Sequence, residues 1–339
     1  MTEAQHRPRA ALAMSQDAAT AVFGPDETAA LAALCDLAPP PVLDDLTTER
    51  ARAVLAETEV LVTGWGCPPI DAAVLAAAPH LRAIAHSAGS VRHHLTDACW
   101  DRGIEVSSAA AANALPVAEY TVAMILLANK RVLERARDYR ATRSRDAWLR
   151  TDRSVGNYRN TVGICSASLI GRRVIELLRP YDLQVLLYDP YVSEAEAAAL
   201  GVTGVGIEQL FAASDVVSVH TPLLPATRGL VSRELIARLR PGATLINTSR
   251  GAVVDQDALT DAVTSGRIHA VLDVTEPELL PPDHPLWDCA NALLTPHLAG
   301  SQGNEWRRLA DLTVSEVARW SAGDGFAHPV HRERLAFLA

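Results

Sequence analysis

The sequence predicts an α/β protein made of two doubly wound parallel sheets. Three observations carry that prediction. Residues 161–189 (TVGICSASLIGRRVIELLRPYDLQVLLYD) read as strand, tight turn, helix, strand: Val162, Ile164 and Cys165 form a short apolar run, Ile170, Val174, Ile175 and Leu178 recur at helical spacing, and residues 185–188 form a second apolar run. Short apolar runs alternate with Ala/Leu-rich helical stretches on both sides of this unit, the pattern of a parallel sheet covered on both faces. The chain has 339 residues, 49% of them apolar, enough for two separate cores.

The elements follow in order. Residues 10–14 are expected as a strand, 27–37 as a helix, 42–43 as a short strand and 49–56 as a helix. Strands at 59–63, 81–86 and 104–107 then alternate with helices at 72–78 and 95–101. Two turns follow strands here, Gly64-Trp65-Gly66 and residues 87–90 (SAGS), the position at which ligands of open α/β sheets sit. A long helix is expected over 116–137. Pro116 suits its first turn, and Val117, Tyr120, Met124, Leu127 and Ala128 share an apolar face. A polar stretch over 140–159 contains Trp148 and Leu149, an anchor for a partner subunit or a loop folded on its own domain. Beyond Asp189 the α/β rhythm resumes, with strands at 216–220, 243–247, 268–273 and 292–295, helices at 194–200, 207–213, 233–239 and 257–265, and a last helix at 304–320.

The 161–189 unit has the layout that places a helix N-terminus under a pyrophosphate and an acid, Asp189, on an adenosine ribose. Its glycine pattern is altered. The G-x-G-x-x-G positions hold Ser166, Ser168 and Gly171, so only the glycine for close helix–strand packing remains. A left-handed backbone at Ser166 would cost roughly 1 kcal/mol relative to glycine.

Composition narrows the function classes. A net charge of −9 and the lack of a long Arg/Lys block argue against nucleic acid as a partner. No uninterrupted run of about 18 apolar residues occurs, so no membrane partner is expected, and the N-terminal residues lack a signal-peptide pattern, so a cytoplasmic location is expected. The five cysteines are scattered without a C-x-x-C, which indicates neither a disulfide framework nor a metal site.

Six segments, taken together and in order, carry a resemblance. They are 112–119 (ANALPVAE), the 161–189 unit, 219–223 (VHTPL) with Thr227, 245–251 (LINTSRG), 272–278 (LDVTEPE) and 294–300 (LTPHLAG). Through them the chain resembles the D-isomer-specific 2-hydroxyacid dehydrogenases over nearly its whole length, with the glyoxylate/hydroxypyruvate reductase-like branch nearest around 273–287. The resemblance implies a flavodoxin-like substrate domain (1–112 and about 322–339), a Rossmann NAD-binding domain (113–300), a crossing helix (301–321), an active site in the cleft between the domains, and a homodimer. It implies hydride transfer between NAD(H) and a small 2-keto or 2-hydroxy acid. The alternatives are a phosphoglycerate-type dehydrogenase and an NAD-sensing interaction protein of the corepressor type.

Chemistry and resemblance agree on three residues. Arg250 offers a planar, permanently charged fork for a carboxylate and a keto oxygen. His297 can donate and accept a proton near neutrality. Glu278, five residues after Asp273, would orient the imidazole and favour its protonated form, while Glu276 is expected to be exposed. Leu279 stands where the family usually has proline. For the cofactor, the resemblance implies contacts from Ser166, Ser168, Leu169, Ile170, Gly171, Asp189, Thr221, Thr248, Asp273 and Gly300. The carboxylate of Asp189 favours NAD over NADP. For the substrate it implies backbone N–H donors in the turn Ala88, Gly89 and Ser90, followed here by Arg92-His93-His94 where the family often has Asp-Asn. The sequence implies no metal. His220 is expected to be structural.

Overall fold

A computed structural model describes residues 7–144 and 154–335. Internal contacts divide the chain into two compact units, Met1–Asn113 with Ser301–Ala339, and Ala114–Gly300. Trp148 and Leu149 lie outside the described residues.

Unit 1 carries, among the described residues, a five-stranded sheet of β1 (Arg9–Ala13), β2 (Asp36–Val42), β3 (Val60–Thr63), β4 (Ala83–His86) and β5 (Glu105–Ser108), in the order β2-β1-β3-β4-β5. All neighbours are parallel, which gives the expected flavodoxin-like order. Central β3 and β4 are buried throughout because helices cover both faces. One face packs on Gln16–Val22, Pro25–Leu34 and Trp306–Ser321, through Val22, Leu31, Leu309 and Val317. The other packs on Glu49–Leu55, Ala72–Ala77 and Asp97–Asp101, through Leu55, Val74, Leu75 and Cys99. The helix expected as a crossing element over 301–321 is therefore a layer of unit 1.

Two local expectations in this unit are corrected. The short strand expected at 42–43 is the end of the longer β2, which runs through Pro39, Pro40 and Pro41. Proline cannot donate to a ladder, so a proline run hides a strand from sequence reading, and β2 lies at the sheet edge where that loss is tolerated. The helix expected over 27–37 ends at Leu34, and the chain continues into β2 after Cys35.

Among the described residues, unit 2 carries a seven-stranded parallel sheet of β6 (Thr161–Cys165), β7 (Gln184–Tyr188), β8 (Thr203–Gly204), β9 (Val216–Val219), β10 (Thr244–Asn247), β11 (His269–Leu272) and β12 (Ala292–Leu294). The order β12-β11-β10-β9-β6-β7-β8 reverses direction between β6 and β9, the crevice at which such sheets bind ligands. The register pairs Cys165 with Val219, Val219 with Asn247, and Asn247 with Leu272. Residues that follow these strand ends, Ser166, Thr221, Thr248 and Asp273, are thus gathered along one edge.

The helix expected over 116–137 is two helices, Ala110–Asn129 and Val132–Thr142. Arg131, in left-handed backbone at φ 48°, breaks them apart, and Pro116 stands inside the first helix rather than in its first turn. By length and composition Ala110–Asn129 could cross a membrane. Its apolar residues Ala118, Val122 and Ile125 are accounted for by packing on Val162, Ile164 and Val174 in the core of unit 2.

Candidate active site

The turn between β6 and the helix Leu169–Leu178 is built as the glycine pattern would build it, with serine in place of two glycines. Ser166 adopts φ +83°, the left-handed conformation that favours glycine. Its amide donates to the Tyr188 carbonyl at 2.8 Å. Its hydroxyl donates to Asp189 Oδ2 at 3.2 Å, and the Ala167 amide donates to the same oxygen at 2.8 Å. Ser168 is the N-cap of the helix, and its hydroxyl accepts from the Gly171 amide at 3.3 Å. Gly171 admits no side chain, because a Cβ there would lie 2.1 Å from the Ser166 carbonyl oxygen. Leu169 is exposed and Ile170 half-buried on the first turn of the helix. The cradle for an anion at a helix N-terminus, with an acid at the neighbouring strand end, is present.

Along the same edge, Thr221 is buried and its hydroxyl donates to the Cys165 carbonyl at 3.4 Å. Thr248 is buried against Thr121, hydroxyl to hydroxyl at 3.1 Å. His220 is wholly buried, with Nε2 2.9 Å from the Ser218 hydroxyl, and desolvation pushes its pKa down to about 3. It is a neutral histidine of the strand end, as expected of a structural residue.

Arg250, Glu278 and His297 are brought together within unit 2. The imidazole Nδ1 of His297 lies 2.6 Å from Glu278 Oε1. Arg250 is half-buried; desolvation lowers its pKa and the nearby charge of Glu278 opposes that shift. The carboxylate bonded to the imidazole is thus also near enough for its charge to act on the guanidinium. The exposed Glu276 instead pairs with Arg228 at 3.7 Å.

Three supports hold this group, none of them expected in that role. Asn247 clamps the turn that presents Arg250: its side-chain amide donates to the Arg250 carbonyl at 3.0 Å, and its oxygen accepts from the Ser249 amide and hydroxyl at 3.0 and 2.9 Å. Thr275 donates to the carbonyls of Pro277 and Glu278 at 2.7 and 3.1 Å, which fixes the glutamate loop although Leu279 replaces a proline. Asp273, expected at the nicotinamide, accepts from the Thr295 hydroxyl at 2.6 Å and from the Leu298 and Ala299 amides at 2.9 Å each. It thereby pins the turn in which His297 sits at φ +54°. Tyr120 extends the chain to Thr295, oxygen to oxygen at 3.0 Å. A buried polar residue ending an apolar strand or directly following one, as at Asn247 and Asp273, is the signal that would have found two of these supports. Gly300 is half-buried and closes the unit.

In unit 1 the turn Ala88-Gly89-Ser90 follows β4, with Ala88 buried and Gly89 and Ser90 half-buried. The Ser87 amide and hydroxyl anchor it to the Thr63 carbonyl at 2.7 and 2.9 Å. Of the three basic residues after the turn, Arg92 and His93 are exposed. His94 is buried and packs against His86 at 4.5 Å between ring centroids, the rings tilted by 35°, and both rings bond the Thr63 hydroxyl, at 3.2 and 2.9 Å. Desolvation lowers their pKa values to about 4 for His94 and about 3 for His86. His94 therefore brings no cation to this turn near neutrality.

The sheet order and the helix N-terminus at the switch point define a dinucleotide-binding α/β protein. Residues 122–299 match the family model described as "D-isomer specific 2-hydroxyacid dehydrogenase, NAD binding domain". A D-3-phosphoglycerate dehydrogenase of Mycobacterium tuberculosis is 34% identical over 288 residues, 84% of this chain and 53% of that protein. A glyoxylate reductase of Korarchaeum cryptofilum is 34% identical over 260 residues, 76% of this chain and 78% of that one. In fold, the apo D-mandelate dehydrogenase of Rhodotorula graminis matches with a TM-score of 0.79 at 24% identity, covering 96% of this chain and 98% of that structure. The chain belongs to the D-isomer-specific 2-hydroxyacid dehydrogenase family, and unit 2 contains its NAD-binding domain. It spans about half the length of the phosphoglycerate dehydrogenases it matches.

Proposed function

We propose that this chain transfers a hydride between NAD(H) and a small 2-keto or 2-hydroxy acid of the D series. The observation that supports this most is the 2.6 Å pair of His297 and Glu278 in the same unit as the half-buried Arg250, the unit whose family match is an NAD-binding domain. When bound, the nicotinamide supplies or receives the hydride at the substrate's second carbon. Arg250 holds the substrate carboxylate and polarises the keto oxygen, and its charge is worth more in a partly desolvated place than in water. His297 gives its Nε2 proton to the keto oxygen as it becomes a hydroxyl, and takes that proton back in oxidation. Glu278 on Nδ1 fixes the ring orientation and leaves Nε2 as the nitrogen that exchanges the proton.

The helix N-terminus, the close approach enforced at Gly171 and the acid Asp189 suit an NAD pyrophosphate and ribose. A 2′-phosphate would meet the Asp189 carboxylate, which favours NAD over NADP. We also propose a homodimer through unit 2. The helix Val132–Thr142 has no buried residue and leaves Val132, Leu133 and Tyr139 in solvent, an apolar stripe suited to a second copy.

The test is NADH oxidation with glyoxylate, hydroxypyruvate and longer 2-keto acids, together with NAD reduction by 3-phosphoglycerate. The 34% identity to named phosphoglycerate dehydrogenases makes that last substrate the second reading. Turnover of none of these would overturn the enzymatic reading in favour of an NAD-sensing interaction protein.

A further inference from the structure

We infer that the Ser166 hydroxyl is a built-in competitor for the adenosine ribose, occupying an acceptor position on Asp189 that the cofactor must take over in order to bind. The inference rests on the proposal that unit 2 binds NAD(H) at this turn.

A carboxylate has about four acceptor positions. Among the described residues, Asp189 already accepts three hydrogen bonds: from the Ser166 hydroxyl and the Ala167 amide on Oδ2, and from the Tyr191 amide on Oδ1 at 2.8 Å. The two amide bonds are fixed by the backbone of the turn and of the strand end. One position remains, whereas an adenosine ribose presents two neighbouring hydroxyls. With glycine at 166, the usual residue of this motif, Asp189 would keep two positions and could serve both hydroxyls. With serine, the second is in use.

The backbone of Ser166 cannot move to make room. Its amide is held by the Tyr188 carbonyl, and its own carbonyl fills the space that a side chain on Gly171 would need. Only the hydroxyl can rotate away. Dinucleotide binding therefore exchanges a charge-assisted bond within the protein for one to the ribose, and gains less than the same loop would with no hydroxyl there. The consequence is a cofactor held more loosely and released more readily than a glycine loop would hold it. It is a property of this chain's own residue, not of the fold.

The experiment measures NADH binding by fluorescence titration for the natural protein, Ser166→Ala and Ser166→Gly, with melting temperatures taken in parallel. Ser166→Ala removes the hydroxyl and keeps the left-handed backbone strained, while Ser166→Gly removes both. Displacement of NADH by ADP and by 2′-deoxy-ADP is measured for each. Both variants are expected to bind NADH and ADP roughly ten-fold tighter, and the gain is expected to shrink for 2′-deoxy-ADP. Unchanged affinity, weaker affinity or an equal gain for both ADP forms would overturn the inference. Weaker affinity would mean that the hydroxyl serves the cofactor directly. Failure of all three proteins to bind NADH would instead overturn the cofactor reading of the site, a result distinct from the others.

Discussion

His297 Nδ1 and Glu278 Oε1 stand 2.6 Å apart, although both side chains are exposed and nineteen positions separate them in the chain. Two exposed side chains hold such a distance only when both backbones are fixed, here by Asp273 under the histidine turn and by Thr275 under the glutamate loop. Glu278→Gln keeps the shape and removes the charge. In steady-state kinetics with the best keto acid, kcat is expected to fall by about 10²-fold with KM little changed, since acid–base catalysis contributes factors of that order. A kcat within two-fold of the natural protein's, about 0.4 kcal/mol, would remove Glu278 from the mechanism.

Arg250→Lys keeps the charge and loses the fork. The guanidinium is held in place by its donation to the Ser249 carbonyl at 2.7 Å and by the Asn247 clamp on its turn. An ammonium can offer neither bidentate contact nor the same reach. The expected result is a fall of roughly 10²-fold in kcat/KM for the keto acid, with NADH affinity preserved. A Lys variant as active as the natural chain would show that a point charge suffices.

Gly251 is the tightest contact between the arginine turn and the glutamate loop. A Cβ there would lie 2.0 Å from the Thr275 carbonyl carbon and oxygen. Gly251→Ala must push the two segments apart. Overpacking of this kind costs about 1–3 kcal/mol, which should lower the melting temperature by several degrees. Activity is expected to drop with it, because the displaced loop carries Glu278. A melting curve identical to that of the natural chain would contradict the packing.

Acid is expected to destabilise the protein through three buried histidines. His86 and His220 have pKa values lowered to about 3 and His94 to about 4, in each case chiefly by desolvation. Above about pH 6.5 these rings are neutral whether the chain is folded or not, and they contribute nothing to the pH dependence. As pH falls from about 6.5 to about 4, the unfolded chain binds their protons and the native chain does not. Stability is then lost at up to about 1.4 kcal/mol per pH unit for each ring. Two of the rings belong to unit 1 and one to unit 2. Thermal melts between pH 7.5 and 5 should show the decline, and His220→Gln should make it shallower. A melting temperature flat across that range would contradict the assignment of neutral native rings.

The fold was largely legible because its signals are local. The βαβ unit read from residues 161–189 is observed as β6, the helix Leu169–Leu178 and β7, since apolar spacing and strand-end chemistry all lie within one stretch. Misread elements were those where a single residue type obscured the pattern. Prolines 39–41 concealed most of β2, and the break at Arg131 leaves no composition signal because arginine is an ordinary helix former. At the site, the chemically distinctive residues Arg250, Glu278 and His297 could be named from sequence. The supports Thr275 and Thr295 could not, because they matter through contacts only the folded chain creates. The altered glycine pattern was visible as an anomaly, but that Ser166 bonds to Asp189 was not.

The outermost strands of both sheets have a practical consequence for how the protein behaves at high concentration. β8 is two residues long, β12 is three, β2 is interrupted by three residues with no N–H to offer, and β5 is already covered by the segment at Pro329 and Val330, whose Val330 amide donates to the Val106 carbonyl at 2.8 Å. A stray extended peptide finds almost no continuous ladder on which to dock at these margins. The molecule can thus carry wide, strongly apolar sheets while offering little foothold for fibrous self-association.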